Sequence, residues 1–249
     1  MKSDIELDSV RSFDQYAIGP VISGRWLYYA SKRLLDIFLA SLALILLSPL
    51  LLLIAILVRL TSPGPALFIQ ERVSARRRTM DQKAYWQQYL FRCYKFRSMV
   101  CNADSSIHQK YVEALINSDQ EGLSSMQGET TQATKLVNDP RITRLGRFLR
   151  KSSLDEVPQF WNVVKGDMSL VGPRPAIPYE VEMYKNWHLQ RLKAKPGVTG
   201  LWQVTARSSA AFDEMILLDL QYIEKQSFWL DLVILVKTPW VVISSKGAL

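Results

Sequence analysis

Histidine and cysteine are scarce in this chain of 249 residues, which contains two of each. His108 and His188 are too isolated to predict a histidine-based metal site or a catalytic triad. Cys93 and Cys101 lack metal-type spacing and are too few for a disulfide framework, so a reducing compartment is expected. GxGxxG and GxxxxGK[ST] motifs are absent, which excludes the standard dinucleotide and P-loop cradles. Carboxylates are the acid–base groups that remain for chemistry.

Acidic residues are fewer than basic ones, and the net charge is +8. This balance favours anionic partners, namely phosphates, nucleic acid or an anionic membrane surface. The sequence shows neither an aromatic–basic groove for single strands nor a known DNA-reading helix, so we expect no nucleic-acid partner. The polar N-terminus has no apolar run after its basic start and does not fit a signal peptide. Residues 1–30 are therefore interpreted as a tail.

An apolar run covers Ile37–Val58 and would measure about 33 Å as one straight helix, enough to cross a bilayer core. Ser48 and Pro49 fall at its middle, where proline removes a backbone hydrogen bond, and basic residues flank both ends. Two topologies remain open from these features. One is a kinked spanning helix, and the other is a re-entrant hairpin over residues 31–60 that keeps both ends in the cytoplasm. In the hairpin, Ser48 is expected to help satisfy backbone groups freed by Pro49. Pro49→Ala is expected to straighten the run towards a spanning helix and to move the N-terminus across the membrane.

The segment Ser153–Pro175 contains the candidate catalytic residues. Asp155 and Glu156 are adjacent carboxylates at a predicted helix start, where Ser153 and Glu156 are spaced as a capping box and Gly166 closes the helix. Backbone N–H groups there would keep a carboxylate ionised, as a nucleophile or a metal ligand requires. The alternative is that both residues only cap the helix.

Three groups of basic residues are candidate phosphate ligands. Lys95 and Arg97 are expected to project together from one face of a strand. Arg147 lies on the basic side of a predicted amphipathic helix, and Arg174 is held between two prolines of a Gly-Pro-Arg-Pro turn. Fixed guanidinium groups suit bidentate phosphate binding. The alternatives are a solvated strand face, a solvated helix face and a plain surface turn.

Other segments predict smaller elements. Short strands are expected over Ala66–Gln70 and Leu90–Met99. Residues 101–138 are polar and are interpreted as an insertion rather than a site, with one short amphipathic helix over Ser106–Ile116. Phe228–Ile243 is apolar and carries tryptophans, but charge and proline interrupt it, which predicts a helix lying at a membrane interface.

A set of motifs resembles the bacterial sugar transferase family, the monotopic phosphoglycosyl transferases. In chain order they are KRLLD before the Ser-Pro-interrupted run, SPGPALFIQERV, YKFRSM, NDPRITRLGRFLRKSSLDEVPQFWNVVKGDMSLVGPRP, KPGVTGLWQV and LDLQYIEKQSFWLDLVILVKT. They cover about residues 31–245.

The resemblance implies an α+β, mainly helical fold. A membrane-embedded re-entrant helix-break-helix hairpin at residues 31–60 would precede a small cytoplasmic catalytic domain at residues 61–249, with short strands and interfacial amphipathic helices. The implied reaction moves a sugar 1-phosphate from a UDP-sugar to undecaprenyl phosphate and releases UMP. It would occur on the cytoplasmic side of the bacterial inner membrane, among its lipids, as the first membrane step of exopolysaccharide, O-antigen or capsule assembly.

The resemblance also implies residue roles. Asp155 would carry a covalent phosphosugar, and Asp155 and Glu156 would hold Mg²⁺. The expected phosphate ligands are Arg174, Lys95, Arg97 and Arg147. Two alternatives stay open, the same transfer by single displacement and a non-catalytic, basic, membrane-anchored binding protein. Galactose or glucose is favoured over an acetamido sugar, and a homodimer is considered by analogy.

Overall fold

The computed structural model describes residues 25–80, 83–104, 106–117, 119, 121–123, 139–206 and 211–243. The described helices are α1 Trp26–Thr61, α2 Ser106–Asn117, α3 Arg144–Lys151, α4 Gln159–Lys165, α5 Pro178–Glu182, α6 Leu201–Thr205, α7 Phe212–Lys225 and α8 Phe228–Ile243. The strands are β1 Leu67–Met80, β2 Lys83–Phe96, β3 Ser169–Val171 and β4 Gly197–Thr199, and 3₁₀ turns cover Leu154–Glu156 and His188–Leu192. The described part is mainly helical with two small sheets, as predicted for an α+β chain.

Helix α1 passes through Ser48 and Pro49 without interruption, so the predicted helix-break-helix is not present as a break. The Ser48 hydroxyl donates to the carbonyl oxygen of Ile45 at 2.8 Å. In an α-helix that carbonyl accepts a hydrogen bond from the N–H of the residue four positions later. That residue is Pro49, which has no N–H, so the carbonyl would be left without this partner. The predicted role of Ser48 in satisfying the freed backbone group is therefore confirmed.

Helix α1 is buried near its two ends and exposed between them. Asp36 and Ala40 are buried towards the N-terminus, and Ile54 and Val58 towards the C-terminus. The intervening apolar side chains project outwards: Leu42, Ile45, Leu46, Leu50, Leu52 and Leu53. By length and composition this helix could cross a membrane.

The N-terminal half of α1 is attached by polar contacts. Arg33 donates to the carbonyl oxygens of Val163 and Val164 at 2.6 and 2.8 Å, at the end of α4. Lys32 forms a 2.8 Å ion pair with Asp231 of α8, whose side chain is 2 % exposed. Near the other end, Ile54 and Val58 pack with Phe96 and Leu149.

Strands β1 and β2 form a long antiparallel hairpin, in register from Leu67 opposite Phe96 to Met80 opposite Lys83. The sequence predicted only Ala66–Gln70 and Leu90–Met99, because the arginines in the middle of β1 hide the alternation. The alternation places Cys93 and Lys95 on one face. Opposite pairing places Gln70 and Arg72 on that face as well.

The second sheet pairs β3 with β4 in parallel, with Ser169 opposite Gly197 and Val171 opposite Thr199. Two backbones approach closely at its end. A Cβ on Gly172 would lie 2.4 Å from the carbonyl oxygen of Lys195, so only glycine fits there. This contact fixes the start of the Gly-Pro-Arg-Pro turn.

Helix α2 confirms the predicted amphipathic helix at Ser106–Ile116, but it is part of the core rather than a detached insertion. Its Val112 and Ile116 are buried with Val181, Trp202 and Ile216. Residues 124–138 of the predicted insertion lie outside the described residues.

Two helices carry exposed apolar or basic faces. On α8, Trp229 and Trp240 are 75 % and 73 % exposed while Ile234 is buried, as an interfacial helix would require. On α3, Leu149 is buried and Arg147 is exposed. Phe148 of the same helix is 61 % exposed.

Candidate active site

The two adjacent carboxylates lie on a 3₁₀ turn rather than on the predicted helix start. Ser153 has a φ of 57° and makes no side-chain cap, so the capping box with Glu156 is wrong. Pro158 lacks an N–H, which prevents an α-helical bond to Leu154, and α4 begins after it at Gln159. Gly166, with a φ of 93°, closes α4 as predicted.

Asp155 is 8 % exposed on this turn. Its neighbour Glu156 accepts a 2.7 Å hydrogen bond and ion pair from the Lys95 ammonium on β2, with side-chain exposures of 32 % and 25 %. The structure thus brings three of the predicted site residues together. The partial exposure of Lys95 and Glu156 leaves both open to a ligand.

Arg150 is a further cation beside the carboxylates. Its Nε donates to the Ser98 hydroxyl at 2.8 Å. Burial lowers the pKa of Arg150, while the nearby charges of Asp155, and more weakly Glu156, act in the opposite direction. The sequence pattern placed Arg150 only on a basic helix face. Its position five residues before Asp155 did not distinguish it from Arg147, which is exposed on α3.

Arg174 is half-buried in the turn after β3, between the two flanking prolines. The carbonyl oxygen of Pro175, the next residue, accepts a 2.8 Å hydrogen bond from the Arg72 guanidinium. The turn and Glu156 both lie within electrostatic range of the buried Cys93 thiol. Burial raises the pKa of that thiol, and the charges of Lys95, Arg72, Glu156 and Arg174 also act on it.

Arg97 is not brought together with Lys95. It follows the last residue of β2 and is 6 % exposed. Its guanidinium donates to the carbonyl oxygens of Val58, Ser62 and Pro63 at 3.2, 2.7 and 2.5 Å. These contacts hold the C-terminal end of α1, and phosphate binding by Arg97 stays a prediction.

The predicted donors for a cation are the two carboxylates Asp155 and Glu156. No group of three or more His, Cys, Asp or Glu side chains suited to a metal ion occurs in the part of the chain that the structure describes. This fits Mg²⁺, because proteins usually hold that ion through one or two carboxylates plus substrate phosphates and waters. It does not fit a metal that requires a complete protein cage.

The comparisons with known proteins show the family to which this fold and site belong. The family described as Bacterial sugar transferase matches residues 27–245. The chain therefore belongs to the bacterial sugar transferase family.

Three relatives illustrate the similarity. The chain is 42 % identical over 218 residues to an undecaprenyl-phosphate galactose phosphotransferase of Salmonella typhimurium. The aligned region covers 87 % of this chain and 41 % of that protein. It is 37 % identical to the exopolysaccharide production protein ExoY of Rhizobium meliloti, with 88 % of each chain covered. It is 36 % identical to a UDP-glucose:undecaprenyl-phosphate glucose-1-phosphate transferase of Escherichia coli, with 87 % of this chain and 41 % of that protein covered. The chain thus spans less than half the length of the Salmonella and Escherichia relatives.

Proposed function

We propose that this protein transfers a sugar 1-phosphate from a UDP-sugar to undecaprenyl phosphate and releases UMP. The observation that carries the proposal is the position of Asp155, beside the Lys95–Glu156 pair and Arg150. Its turn carries Leu154, which packs against the cluster that contains Ile54 and Val58 of α1. A nucleophilic carboxylate with cations around it lies next to the apolar helix. A soluble nucleotide sugar and a lipid phosphate can meet there.

In the first half-reaction, a carboxylate oxygen of Asp155 attacks the phosphorus that bears the sugar. The bond between that phosphorus and the oxygen bridging to UMP breaks, and UMP leaves with the electron pair. Lys95, Arg150 and Arg174 offset the negative charge that would otherwise repel an anionic nucleophile from a diphosphate.

In the second half-reaction, a phosphate oxygen of undecaprenyl phosphate attacks the same phosphorus. The Asp155 carboxylate is the leaving group, and a new diphosphate bond joins the lipid and the sugar. The acyl phosphate on Asp155 keeps the group activated, so no further energy source is needed.

Asp155 and Glu156 are the residues that would hold Mg²⁺. When bound, the ion would neutralise diphosphate charge and polarise the transferred phosphoryl group. Lys95 would then exchange its contact with Glu156 for a phosphate oxygen. Arg147 and Arg97 remain predicted phosphate ligands, with less support from the structure than Lys95. Arg147 is exposed on α3, and Arg97 donates to backbone carbonyls.

Helix α1 is proposed to enter the bacterial inner membrane and return, with the bend at Pro49 and the catalytic domain in the cytoplasm. Arg33 contacts Val163 and the Ile54 cluster contacts Leu154, and these two domain positions are about 15 Å apart along a helical segment. A straight helix would separate Arg33 from Ile54 by about 32 Å. A bend brings both ends to the domain, and proline is the usual cause of one.

The donor sugar is proposed to be galactose or glucose. The Salmonella relative is named for galactose and the Escherichia relative for glucose. A relative from Aeromonas hydrophila, 37 % identical over 228 residues, is named for N-acetylgalactosamine, so acetamido sugars belong in the assay. A role in exopolysaccharide assembly is proposed from the name of ExoY. A homodimer stays a prediction by analogy.

The test is UMP release from a panel of UDP-sugars, with undecaprenyl phosphate and Mg²⁺, by the purified full chain. A radiolabelled sugar phosphate should remain on the protein when the lipid is left out. Asp155→Asn should abolish both signals, whereas Glu113→Gln, which changes an exposed carboxylate of α2, should retain them. Turnover without an adduct would favour single displacement. Lipid binding without UMP release, unaffected by Asp155→Ala, would favour a non-catalytic binding protein.

A further inference from the structure

Arg72 lies in the middle of β1 and is a buried cation, 6 % exposed. Its two terminal nitrogens donate to the carbonyl oxygen of Pro175 at 2.8 Å and to the side-chain oxygen of Gln70 at 2.7 Å. Its Nε has no hydrogen-bond partner among the described residues, and none of the ion pairs found there includes it. A buried guanidinium without a paired carboxylate is costly and needs an explanation.

A second guanidinium adds to the imbalance. Burial lowers the pKa of Arg72, and the charge of Arg174 lowers it further. Glu180 acts in the opposite direction, but one of its carboxylate oxygens accepts the Ile177 N–H at 3.0 Å, and it caps α5. Asp219 also lies within electrostatic range of Arg174, but it accepts a 2.6 Å hydrogen bond from the buried Arg191, which also donates to the Arg174 carbonyl oxygen. Among the described residues, three arginines thus share a region with two carboxylates, one bonded to the backbone and the other to Arg191. An anionic ligand would balance this charge.

The strand register shows where that ligand would lie. Arg72 is on the same hairpin face as Cys93 and Lys95, about 13 Å along the strands from the Lys95 position. The small thiol of Cys93, 1 % exposed, lies between them. Cations therefore run from the Asp155–Glu156 turn to the Arg174 turn.

We propose that Arg72 is a positioning residue that holds the turn carrying Arg174 and, with it, forms the binding place for the phosphate of the leaving UMP. This inference rests on the proposed function. The phosphorus attacked by Asp155 must lie at the Lys95 end of the row. The other phosphate is joined to it through a single oxygen, so it lies on the side towards the Arg174 turn. There the long Arg174 side chain, and not the buried Arg72, would contact it, and a phosphate monoester remains after cleavage. Arg72 acts through the Pro175 carbonyl and its fixed charge.

The experiment measures UMP binding by calorimetry, with the purified full chain in nanodiscs and Mg²⁺ present. Arg72→Met should weaken UMP binding about tenfold or more, the effect of losing charge-assisted hydrogen bonds, and Arg72→Lys about threefold. Arg78→Met is the matched control, an exposed arginine on the same strand and face, and should bind UMP as the wild type does. In turnover, Arg72→Met should raise KM for the UDP-sugar and leave KM for undecaprenyl phosphate unchanged.

A double-mutant cycle with Arg174→Met separates positioning from a general structural effect. If Arg72 acts through Arg174, the two losses of UMP affinity are less than additive. Full additivity overturns the inference, as does wild-type UMP affinity in Arg72→Met. Where Arg72→Met does not fold, wild-type UMP affinity in Arg72→Lys overturns it. A wild type that does not bind UMP also overturns it. The proposed function fails by a different result, the absence of UMP release from every UDP-sugar.

Discussion

Replacing Pro49 with alanine tests what would hold helix α1 in the proposed re-entrant topology. Alanine restores the N–H that Pro49 lacks and removes the steric clash, which favours a straight helix by about 3 kcal/mol. From the sequence, this change was expected to straighten the run and carry the N-terminal end across the membrane. The contacts of α1 change that expectation.

The contacts of the N-terminal half outweigh the gain from straightening. The two charge-assisted hydrogen bonds from Arg33 to the end of α4 contribute about 1.5–3 kcal/mol each. Breaking the buried Lys32–Asp231 pair would cost about 3–5 kcal/mol more. The sum exceeds about 3 kcal/mol, so Pro49→Ala alone should leave the N-terminal end on the side of the catalytic domain. Pro49→Ala combined with Arg33→Met should shift part of the population, and the combination with Arg33→Lys, which keeps the charge, should shift less.

The assay labels cysteines from outside intact spheroplasts with an impermeant maleimide. Leu27→Cys introduces a thiol at a position that is 63 % exposed near the start of α1. The native Cys101 is exposed on the catalytic domain and serves as the internal reference for its side. In Pro49→Ala, both thiols should react only after permeabilisation. Labelling of the Leu27→Cys thiol from outside, with Cys101 still protected, would show that the proline alone sets the topology and that the anchoring energies are misjudged.

Three further outcomes are expected. Lys95→Met should lower kcat/KM by about 10–100-fold, because a cation beside the transferred phosphate is lost. The free energy of unfolding should change by less than about 1 kcal/mol, because the Lys95–Glu156 pair is partly exposed. A loss of activity that only follows a loss of stability would contradict this. Arg97→Met should destabilise the fold by about 3 kcal/mol in urea unfolding, since three backbone carbonyls lose a charged donor, whereas a phosphate ligand would change KM at constant stability. Burial, and then the charge of Arg174, lowers the pKa of His108 to about 4. Between about pH 6.5 and 4 the unfolded state therefore binds a proton that the folded state does not. The free energy of unfolding should fall by up to about 1.4 kcal/mol per pH unit as the pH is lowered through this range. His108→Gln should remove that part of the slope, and an unchanged slope would refute it.

Several elements could be predicted because their signals are local. Gly166 ends α4 in a left-handed conformation that glycine adopts without strain. Ser48 precedes Pro49 and reaches the carbonyl that the proline leaves unpaired. The amphipathic period of Ser106–Ile116 was sufficient to locate α2. In each case the cause lies within four residues of the effect.

Two predictions from the sequence were wrong or incomplete because another pattern in the same segment favoured a different structure. Ser153 and Glu156 have capping-box spacing, but Pro158 turns the segment into a 3₁₀ turn followed by a later helix. The arginine-rich middle of β1 reads as a solvated segment, although pairing with β2 makes it a strand.

The sequence by itself determined the composition of the site: paired carboxylates, nearby basic residues and a long apolar helix, all recognisable from residue type and spacing. Only the tertiary structure decided how each cation is used. Lys95 pairs with Glu156, Arg97 binds the end of α1, and Arg72, which no pattern singled out, lies buried behind the Arg174 turn. The reason is physical. The partner of a long charged side chain is set by backbone groups brought near it from distant parts of the chain, and residue spacing along one strand or helix carries no information about them.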